Sequence, residues 1–283
     1  MKKLVRKVYT GERALFASND LHIVECVFED GESPIKESSN IVVDSSTFKW
    51  KYPLWYCNNV VVNDCALKET ARAGMWYTHN VTFNNCVIDA PKSFRRSSQI
   101  TLNNVSIPNA AETLYNCSDV VLRDVYAKGT YFAMNCKNVL CENLTLDGDY
   151  CFDGVENLTI RNSKLLSKDS FWNSKNVTVY DSFISGEYLA WNSENVMFVN
   201  CTVESLQGFC YVTNLKLVNC KLVNTTRAFE YSTVDAEIVG HVDSIVNPTS
   251  GRIVAGSIGQ LTLDDKYVDP SKTTIVTTEK KND

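Results

Sequence analysis

The sequence predicts an all-β fold: a single-stranded, right-handed parallel β-helix of about 11–13 coils, each with three short strands. A pattern that reads N-V-x-V-x-N-C-x-L recurs at eleven positions, and nine of the ten intervals between them are 19 or 20 residues. Within each repeat, apolar residues alternate with polar ones, and no stretch reaches helical length. The repeats begin at Asp20, Asn40, Asn59, Asn80, Gln99, Asp119, Asn138, Asn157, Asn176, Asn195 and Asn214.

Each repeat is interpreted as three strands separated by three bends. The second and fourth residues are apolar, as in NVTFNNCVI at 80–88, which is typical of a strand with one buried face. Asn or Asp at the sixth position, such as Asn85 and Asp124, favours a bend, and a second alternation such as Cys86 and Ile88 follows. A third apolar position lies five residues before each leading Asn, and its members are Leu54, Met75, Phe94, Leu114, Phe152, Phe171, Phe209 and Phe229.

A single coil of this kind cannot bury its apolar face, so the coils are expected to stack about 4.8 Å apart. Asn side chains at equivalent bends would then form hydrogen-bonded ladders along the stack. Leucine-rich repeats have a similar length but lack the second and third apolar pairs, and a left-handed hexapeptide helix would need strict six-residue spacing. Both alternatives fit the repeat less well than the right-handed β-helix.

Composition narrows the function classes. The chain has 283 residues and a net charge of −5 without a basic run, which argues against nucleic acid as a partner. No apolar run suits a membrane span or a secretory leader, so a cytoplasmic location is expected. Eight of the eleven cysteines share two inward repeat positions where serine also occurs, which indicates small buried fillers with reduced thiols. No C-x-x-C spacing occurs and the three histidines are scattered, so neither a metal nor a cofactor is predicted.

The repeat also suggests boundaries along the chain. Residues 1–19 are interpreted as an N-terminal cap with a partial first coil, and residues 20–233 as regular coils. Residues 234–268 are expected to form irregular C-terminal coils or a cap, and residues 269–283 a flexible tail.

The third strand carries the candidate ligand site. The position four residues before each leading Asn should point outward, and four of its members are tryptophans, which is unusual on an exposed surface. With charged residues of the preceding loop, they would form a groove suited to a carbohydrate or glycoconjugate. The predicted substrate-binding residues are Trp55, Trp76, Tyr115, Trp172, Trp191, Arg72, Glu112, Lys168, Glu187 and Glu230.

Two other roles for the tryptophan column stay open. Loops of the same coils could cover it, or it could mediate homo-oligomerisation or bind a protein partner, in which case the chain is a non-catalytic scaffold. A one-residue error in the strand register would turn the tryptophans inward and remove the groove.

The sequence offers two candidate chemistries for catalysis. Asp149, Asp153 and Asp169 come from adjacent coils, and a carboxylate pair could divide the acid and base roles of a glycoside hydrolase. Alternatively, Arg95 with Arg72 could stabilise a uronate while a base removes its α-proton, as in a polysaccharide lyase.

Longer motifs carry a family resemblance. KYPLWYC, ARAGMWYTHN, DAPKSFRR, LLSKDSFWNS and FEYSTVDAEI resemble a bacterial family with a domain of unknown function, within the pectin-lyase-like superfamily of right-handed parallel β-helices. The resemblance covers nearly the whole chain and implies the fold. It supplies no catalytic residues, while the wider superfamily implies polysaccharide lyases, hydrolases and esterases.

Overall fold

The computed structural model describes residues 1–278 and shows the parallel β-helix in two units, Met1–Asp147 and Gly148–Asp283. Unit 1 contains eight coils, and a short 3₁₀ helix, Glu69–Ala71, interrupts one of them. Its strands, in chain order, are β1 Lys2–Val5, β2 Val8–Tyr9, β3 Asn19–Val24, β4 Val27–Phe28, β5 Ser39–Asp44, β6 Thr47–Phe48, β7 Asn58–Asn63, β8 Ala66–Leu67, β9 His79–Asn84, β10 Val87–Ile88, β11 Ser98–Ile107, β12 Ser118–Lys128, β13 Lys137–Glu142 and β14 Thr145–Asp147.

Unit 2, as far as residue 278, contains seven coils and the 3₁₀ helix Pro270–Lys272. Its strands are β15 Glu156–Arg161, β16 Lys164–Leu166, β17 Lys175–Tyr180, β18 Phe183–Ser185, β19 Glu194–Val199, β20 Thr202–Leu206, β21 Thr213–Thr226, β22 Thr233–Ile238, β23 His241–Val246, β24 Ser250–Ala255, β25 Ser257–Thr262 and β26 Thr273–Thr277.

Strands of successive coils pair in parallel with the predicted register. In unit 1, Val60 of β7 pairs with Ile41 of β5 and Val81 of β9, and in unit 2 Val177 of β17 pairs with Leu158 of β15. All five side chains point into the core and are buried, because the alternation within each strand puts every second residue on the inner face. The predicted fold is therefore confirmed, and no helix among residues 1–278 is long and apolar enough to cross a bilayer.

Asparagine ladders hold the bends in register. In unit 1, the Asn80 amide donates to Asn59, and Asn59 in turn donates to Asn40, at 2.6 and 3.0 Å. In unit 2, Asn214 donates to Asn195 and Asn195 to Asn176, at 2.8 and 3.0 Å. These ladder residues adopt left-handed φ angles, which Asn tolerates better than most side chains.

An inner ladder explains why cysteine and serine exchange within the repeat. The Cys65 thiol donates to the carbonyl of Asn63 and accepts from the backbone N–H of Ser46, at 3.0 and 3.2 Å. The Ser46 hydroxyl makes the equivalent bonds, to Asp44 and from Cys26, at 2.8 and 2.9 Å. All eleven cysteines are buried, as expected for small residues that fill the core. Burial raises the pKa of Cys57 to about 12, so this thiol is suited to packing rather than to nucleophilic chemistry.

Three parts of the architecture differ from the sequence interpretation. Residues 1–19 include β1 and β2, which pair with β3 and β4 as an ordinary coil. In the predicted tail, β26 pairs with β24 from Gly251 to Ala255, while residues 279–283 lie outside the described residues. The third side of most coils is a chain of turns with left-handed residues, although it keeps inter-coil bonds such as Leu54 N–H to Gly74 at 2.9 Å.

Candidate functional site

The third side has the predicted inward and outward alternation. The inward residues Leu54, Met75 and Phe94 are fully buried, and their neighbours Trp55 and Trp76 are only partly buried on the outside. The register of the prediction is therefore right even though the backbone is turned rather than extended. The turned backbone still directs successive side chains to opposite sides of the coil.

The outward residues of unit 1 form a continuous stack, called here the unit 1 stack: Trp55, Trp76, Arg95 and Tyr115. The two indoles are parallel, with ring centroids 5.1 Å apart. The Arg95 guanidinium is inserted between Trp76 and Tyr115, 4.7 Å from each ring centroid. Because its neighbours occupy both sides of this cation, Arg95 links the aromatic rings and is not the free charge that a lyase role would need.

Glu112 fixes Arg95 in place. It accepts a bond from the guanidinium at 2.8 Å and lies 3.1 Å from the Lys92 ammonium. Lys92 first, and then Arg95, hold the pKa of Glu112 below its usual range. The two predicted site residues Arg95 and Glu112 are therefore paired with each other, with Glu112 beside the unit 1 stack.

Loops of the neighbouring coils tie down the indoles. The Trp55 N–H donates to the carbonyl of Ala73, and the Trp76 N–H donates to the carbonyl of Lys92 at 2.8 Å. Each ring is thus held by both stacking and a hydrogen bond, so the tryptophans are covered in part by their own chain. A ligand would contact the outer edges of the two indole rings, which are held in a preformed arrangement.

A cleft of about 300 Å³ lies beside the two indoles and is called here the Trp55 cleft. The Tyr52 ring packs on Trp55 at a centroid distance of 4.5 Å and forms one wall. The whole cleft is lined by Tyr52, Trp55, Arg72, Ala73, Trp76, Pro91 and Lys92. This combination of an apolar lining with a few polar groups is typical of small-ligand sites.

A second cavity of about 340 Å³ adjoins it and is called here the Trp50 cavity. The two share Arg72 and Pro91, so they are neighbouring parts of one surface of unit 1. The lining residues are Trp50, Lys51, Glu69, Thr70, Arg72 and Pro91.

Unit 2 has its own aromatic column. Trp172 and Trp191 lie 6.2 Å apart, and Tyr211 packs on Trp191 at 4.6 Å. The Trp172 N–H donates to the carbonyl of Tyr188 at 2.7 Å, the same loop contact that Trp76 makes in unit 1. The predicted residues Trp172 and Trp191 are brought together, with Tyr211 as a neighbour that the prediction omitted.

Two residues at the predicted outward position, Cys210, four residues before Asn214, and Glu230 of the next coil, are instead buried. Cys210 is fully buried, and Glu230, predicted to contact substrate, is only 8% exposed. The Arg227 guanidinium pairs with the Glu230 carboxylate at 2.6 Å, which compensates for its burial. Glu230 is therefore wrongly assigned to an open groove, because the sequence pattern did not reveal this local ion pair.

The acidic candidates of unit 2 separate into two environments. Asp153 accepts a bond from Asn173 at 3.1 Å and belongs to an asparagine ladder. Asp149 accepts from the backbone N–H of Lys168 at 3.3 Å, and the Lys168 ammonium lies 3.4 Å from Glu187. The third candidate, Asp169, is 8% exposed, and burial, followed by the charges of Asp149 and Glu187, raises its pKa.

The raised pKa of Asp169 gives a pH-dependent prediction. An acid whose pKa is higher in the folded protein destabilises the fold once ionised, so its unfavourable effect grows as the pH rises above 3.8, the ordinary value. Asp169→Asn is expected to increase the free energy of unfolding at pH 7 and to change it little at pH 3. Urea denaturation at both pH values measures this, with exposed Asp235→Asn as the control. A stability loss at pH 7 for Asp169→Asn would contradict the assignment.

No group of three His, Cys, Asp or Glu side chains within residues 1–278 could hold a metal ion. Aromatic rings, fixed carbonyls and charged side chains make up the third side of the coils.

The sequence profile of the family described as "Protein of unknown function (DUF3737)" matches residues 2–276. The chain belongs to this family. A search of curated proteins by sequence found no match. The DUF3737 match covers all the coils described above, including both aromatic columns.

Several solved structures are similar to this member of the DUF3737 family over most of the chain, with TM-scores below 0.5. PfbA, a surface adhesin of Streptococcus pneumoniae, matches with a TM-score of 0.43 and 8% identity, over 93% of this chain and 81% of that one. The A-module of the Azotobacter vinelandii mannuronan C-5 epimerase AlgE4 gives 0.31 and 10%, over 98% and 90%. The receptor binding domain of the siphovirus 9NA tailspike gives 0.39 and 10%, over 99% and 73%.

Sequence reasoning missed Trp50, the fifth tryptophan, because it lies outside the repeating outward position. A signal for this site was nevertheless present: the interval from Asn59 to Asn80 is the single 21-residue repeat. The structure shows the 3₁₀ helix Glu69–Ala71 in that coil, next to Arg72. A change of repeat length therefore coincides with the Trp50 cavity.

Proposed function

We propose that unit 1 binds a carbohydrate or the glycan of a glycoconjugate, with the Trp55 cleft as its principal site. The single observation that supports this is the cleft itself. It has a volume of about 300 Å³, with three aromatic side chains in one wall and Arg72 and Lys92 among the other lining residues.

The chemistry of the lining suits sugars better than a purely apolar ligand. Sugar rings have C–H faces and edges that pack on aromatic rings, and hydroxyls that need fixed donors and acceptors. Tyr52 offers both a ring and a hydroxyl, and the anchored indoles of Trp55 and Trp76 keep the wall in one arrangement. A preorganised wall limits the entropy that binding has to overcome.

Titration of a glycan panel, followed by tryptophan fluorescence and calorimetry, tests the proposal. Trp55→Ala is expected to weaken binding of the recognised glycan by about tenfold or more, because removing a central aromatic side chain costs about 1.4 kcal/mol or more. Tyr126→Ala is the matched control, since Tyr126 is an exposed aromatic residue of β12 outside the cleft.

A second variant separates binding from folding. Tyr52→Phe keeps the ring and removes only the hydroxyl, and it is expected to weaken binding by several-fold with an unchanged melting temperature. The main alternative is a scaffold that self-associates through the same aromatic residues. If light scattering shows an oligomer that Trp55→Ala dissociates, and no glycan binds, the carbohydrate proposal fails.

A further inference from the structure

The Trp50 cavity is lined by three charged side chains, Lys51, Glu69 and Arg72. Lys51 of the cavity is paired with Glu32 at 3.1 Å, and Lys92 of the cleft is paired with Glu112 at the same distance. Arg72, which lines both, is exposed and makes no ion pair within residues 1–278. The guanidinium of Arg72 is therefore the cation of this surface that remains available to an anion.

Trp50 is also distinct from the tryptophans of the unit 1 stack. Its ring contact within the described residues is with the Lys51 ammonium, 5.3 Å from the ring centroid, and no aromatic ring of that part of the chain stacks on it. Trp55 and Trp76, by contrast, stack on each other. Trp50 is thus a partly buried indole that does not belong to the unit 1 stack.

The acidic group of the cavity is Glu69, at the start of the 3₁₀ helix. It is exposed and makes no ion pair with Arg72, so it leaves the guanidinium uncompensated. A carboxylate in this position accepts hydrogen bonds from sugar hydroxyls, but it also repels a ligand anion. These two effects of Glu69 have opposite signs and can be separated by substitution.

We propose that the Trp50 cavity is a subsite for an acidic sugar unit, in which Arg72 binds the carboxylate and Trp50 packs against the sugar ring. The proposal rests on the carbohydrate function of the adjoining Trp55 cleft. The planar guanidinium presents paired N–H donors that match both oxygens of a carboxylate, which a lysine cannot reproduce. The ligand class is a uronate-containing oligosaccharide that extends from the cavity into the cleft.

The test uses the full chain and hexasaccharides of galacturonan, mannuronan, guluronan and glucuronan. Each is compared with the neutral hexasaccharide made from it by carboxyl reduction, at low and moderate salt. For the recognised backbone, the acidic form is expected to bind about tenfold or more tightly than its neutral form, since hydrogen bonds to charged groups are the stronger ones.

Variants assign the preference to individual residues. Arg72→Gln is expected to weaken binding of the acidic hexasaccharide by about tenfold or more, and binding of the neutral one by less than about threefold. Arg72→Lys should recover only part of the loss, because the bidentate geometry is absent. Glu69→Gln should strengthen binding of the acidic hexasaccharide by a few-fold. Trp50→Ala should weaken binding of both the acidic and the neutral form. Arg123→Gln, which removes an exposed arginine of β12 paired with Glu142, is the charge-matched control and should change neither.

The outcomes distinguish this subsite from the broader function. If a neutral hexasaccharide binds as tightly as its acidic parent, or Arg72→Gln weakens both equally, the acidic subsite is overturned while carbohydrate binding stands. If no member of the panel or of the wider glycan set binds, the proposed function fails and the subsite fails with it. Melting temperatures of all variants test whether a loss of folding causes the weaker binding. The melting temperature is expected to stay unchanged for substitutions at Arg72 and Glu69, because both side chains are exposed.

Discussion

Phe94→Ala is expected to lower the free energy of unfolding by about 3–5 kcal/mol, the usual cost of removing a buried phenylalanine. The Phe94 side chain is fully buried, and its ring packs edge-on against Phe83 at a centroid distance of 5.4 Å. A solenoid core has one layer of side chains per coil, so neighbouring coils have few other groups with which to fill the resulting cavity. Urea denaturation followed by tryptophan fluorescence measures the loss.

The matched control is Phe16→Ala. Phe16 is 38% exposed, and its ring contact is with the guanidinium of Arg13, 5.3 Å from the centroid. Its removal is expected to cost less than about 1 kcal/mol, because surface substitutions create no cavity. Equal effects for Phe94→Ala and Phe16→Ala would show that the inner layer of unit 1 does not carry the stability assigned to it.

Phe94 also connects the core to the candidate site. It directly precedes Arg95, and its carbonyl accepts a hydrogen bond from the backbone N–H of Tyr115 at 3.0 Å. Arg95 and Tyr115 both belong to the unit 1 stack. Hydrogen exchange in Phe94→Ala is therefore expected to show faster exchange at Tyr115 and in β9 and β11 than elsewhere in unit 1.

The buried alternation and the ladders were predictable from one sequence because each rests on local chemistry. Val60 and Val81 show their burial through period-2 spacing, and Asn59 and Asn80 show their bends through a residue type that tolerates left-handed angles. Because the same alternation and the same Asn positions recur in many coils, a pattern that is weak in one coil becomes clear over the whole sequence.

The shape of the third side was not predictable in the same way. Phe94 and Leu114 have φ angles of 58°, a conformation that residue preferences alone would not suggest for bulky side chains. The burial of both side chains in the core outweighs the local preference. Similarly, the contact between Arg227 and Glu230 depends on how one loop folds back, which repeat spacing does not encode.

The candidate site was predictable in part. The outward tryptophans follow from alternation, but whether an outward ring is free depends on partners from other coils. Trp76 looks available in the sequence, yet Trp55, Arg95 and the Lys92 carbonyl all contact it. Trp50 lies outside the pattern and makes none of these stacking contacts. Departures from the repeat were thus the better indicator of the proposed subsite.

Gly251→Ala is expected to destabilise unit 2 by about 2–5 kcal/mol, combining backbone strain with overpacking. Gly251 has a φ of +121°, and a β-carbon placed there would lie 1.9 Å from the carbonyl oxygen of Val234 in the preceding coil. That oxygen belongs to the backbone of β22, which pairs with β24 through the same residues. Relief of the clash must therefore separate paired strands rather than move one flexible side chain.

Gly240→Ala isolates the strain from the clash. Gly240 has a φ of +81°, also in the left-handed region, but a β-carbon added there would have no heavy atom within 4 Å apart from its chain neighbours. Its expected cost is about 1–2 kcal/mol, from conformation alone. Urea denaturation and hydrogen exchange of both variants measure the difference, with lost protection in β24 and β26 expected only for Gly251→Ala. If the two substitutions cost the same, close approach of successive coils does not restrict this position, and the glycine is explained by its φ angle alone.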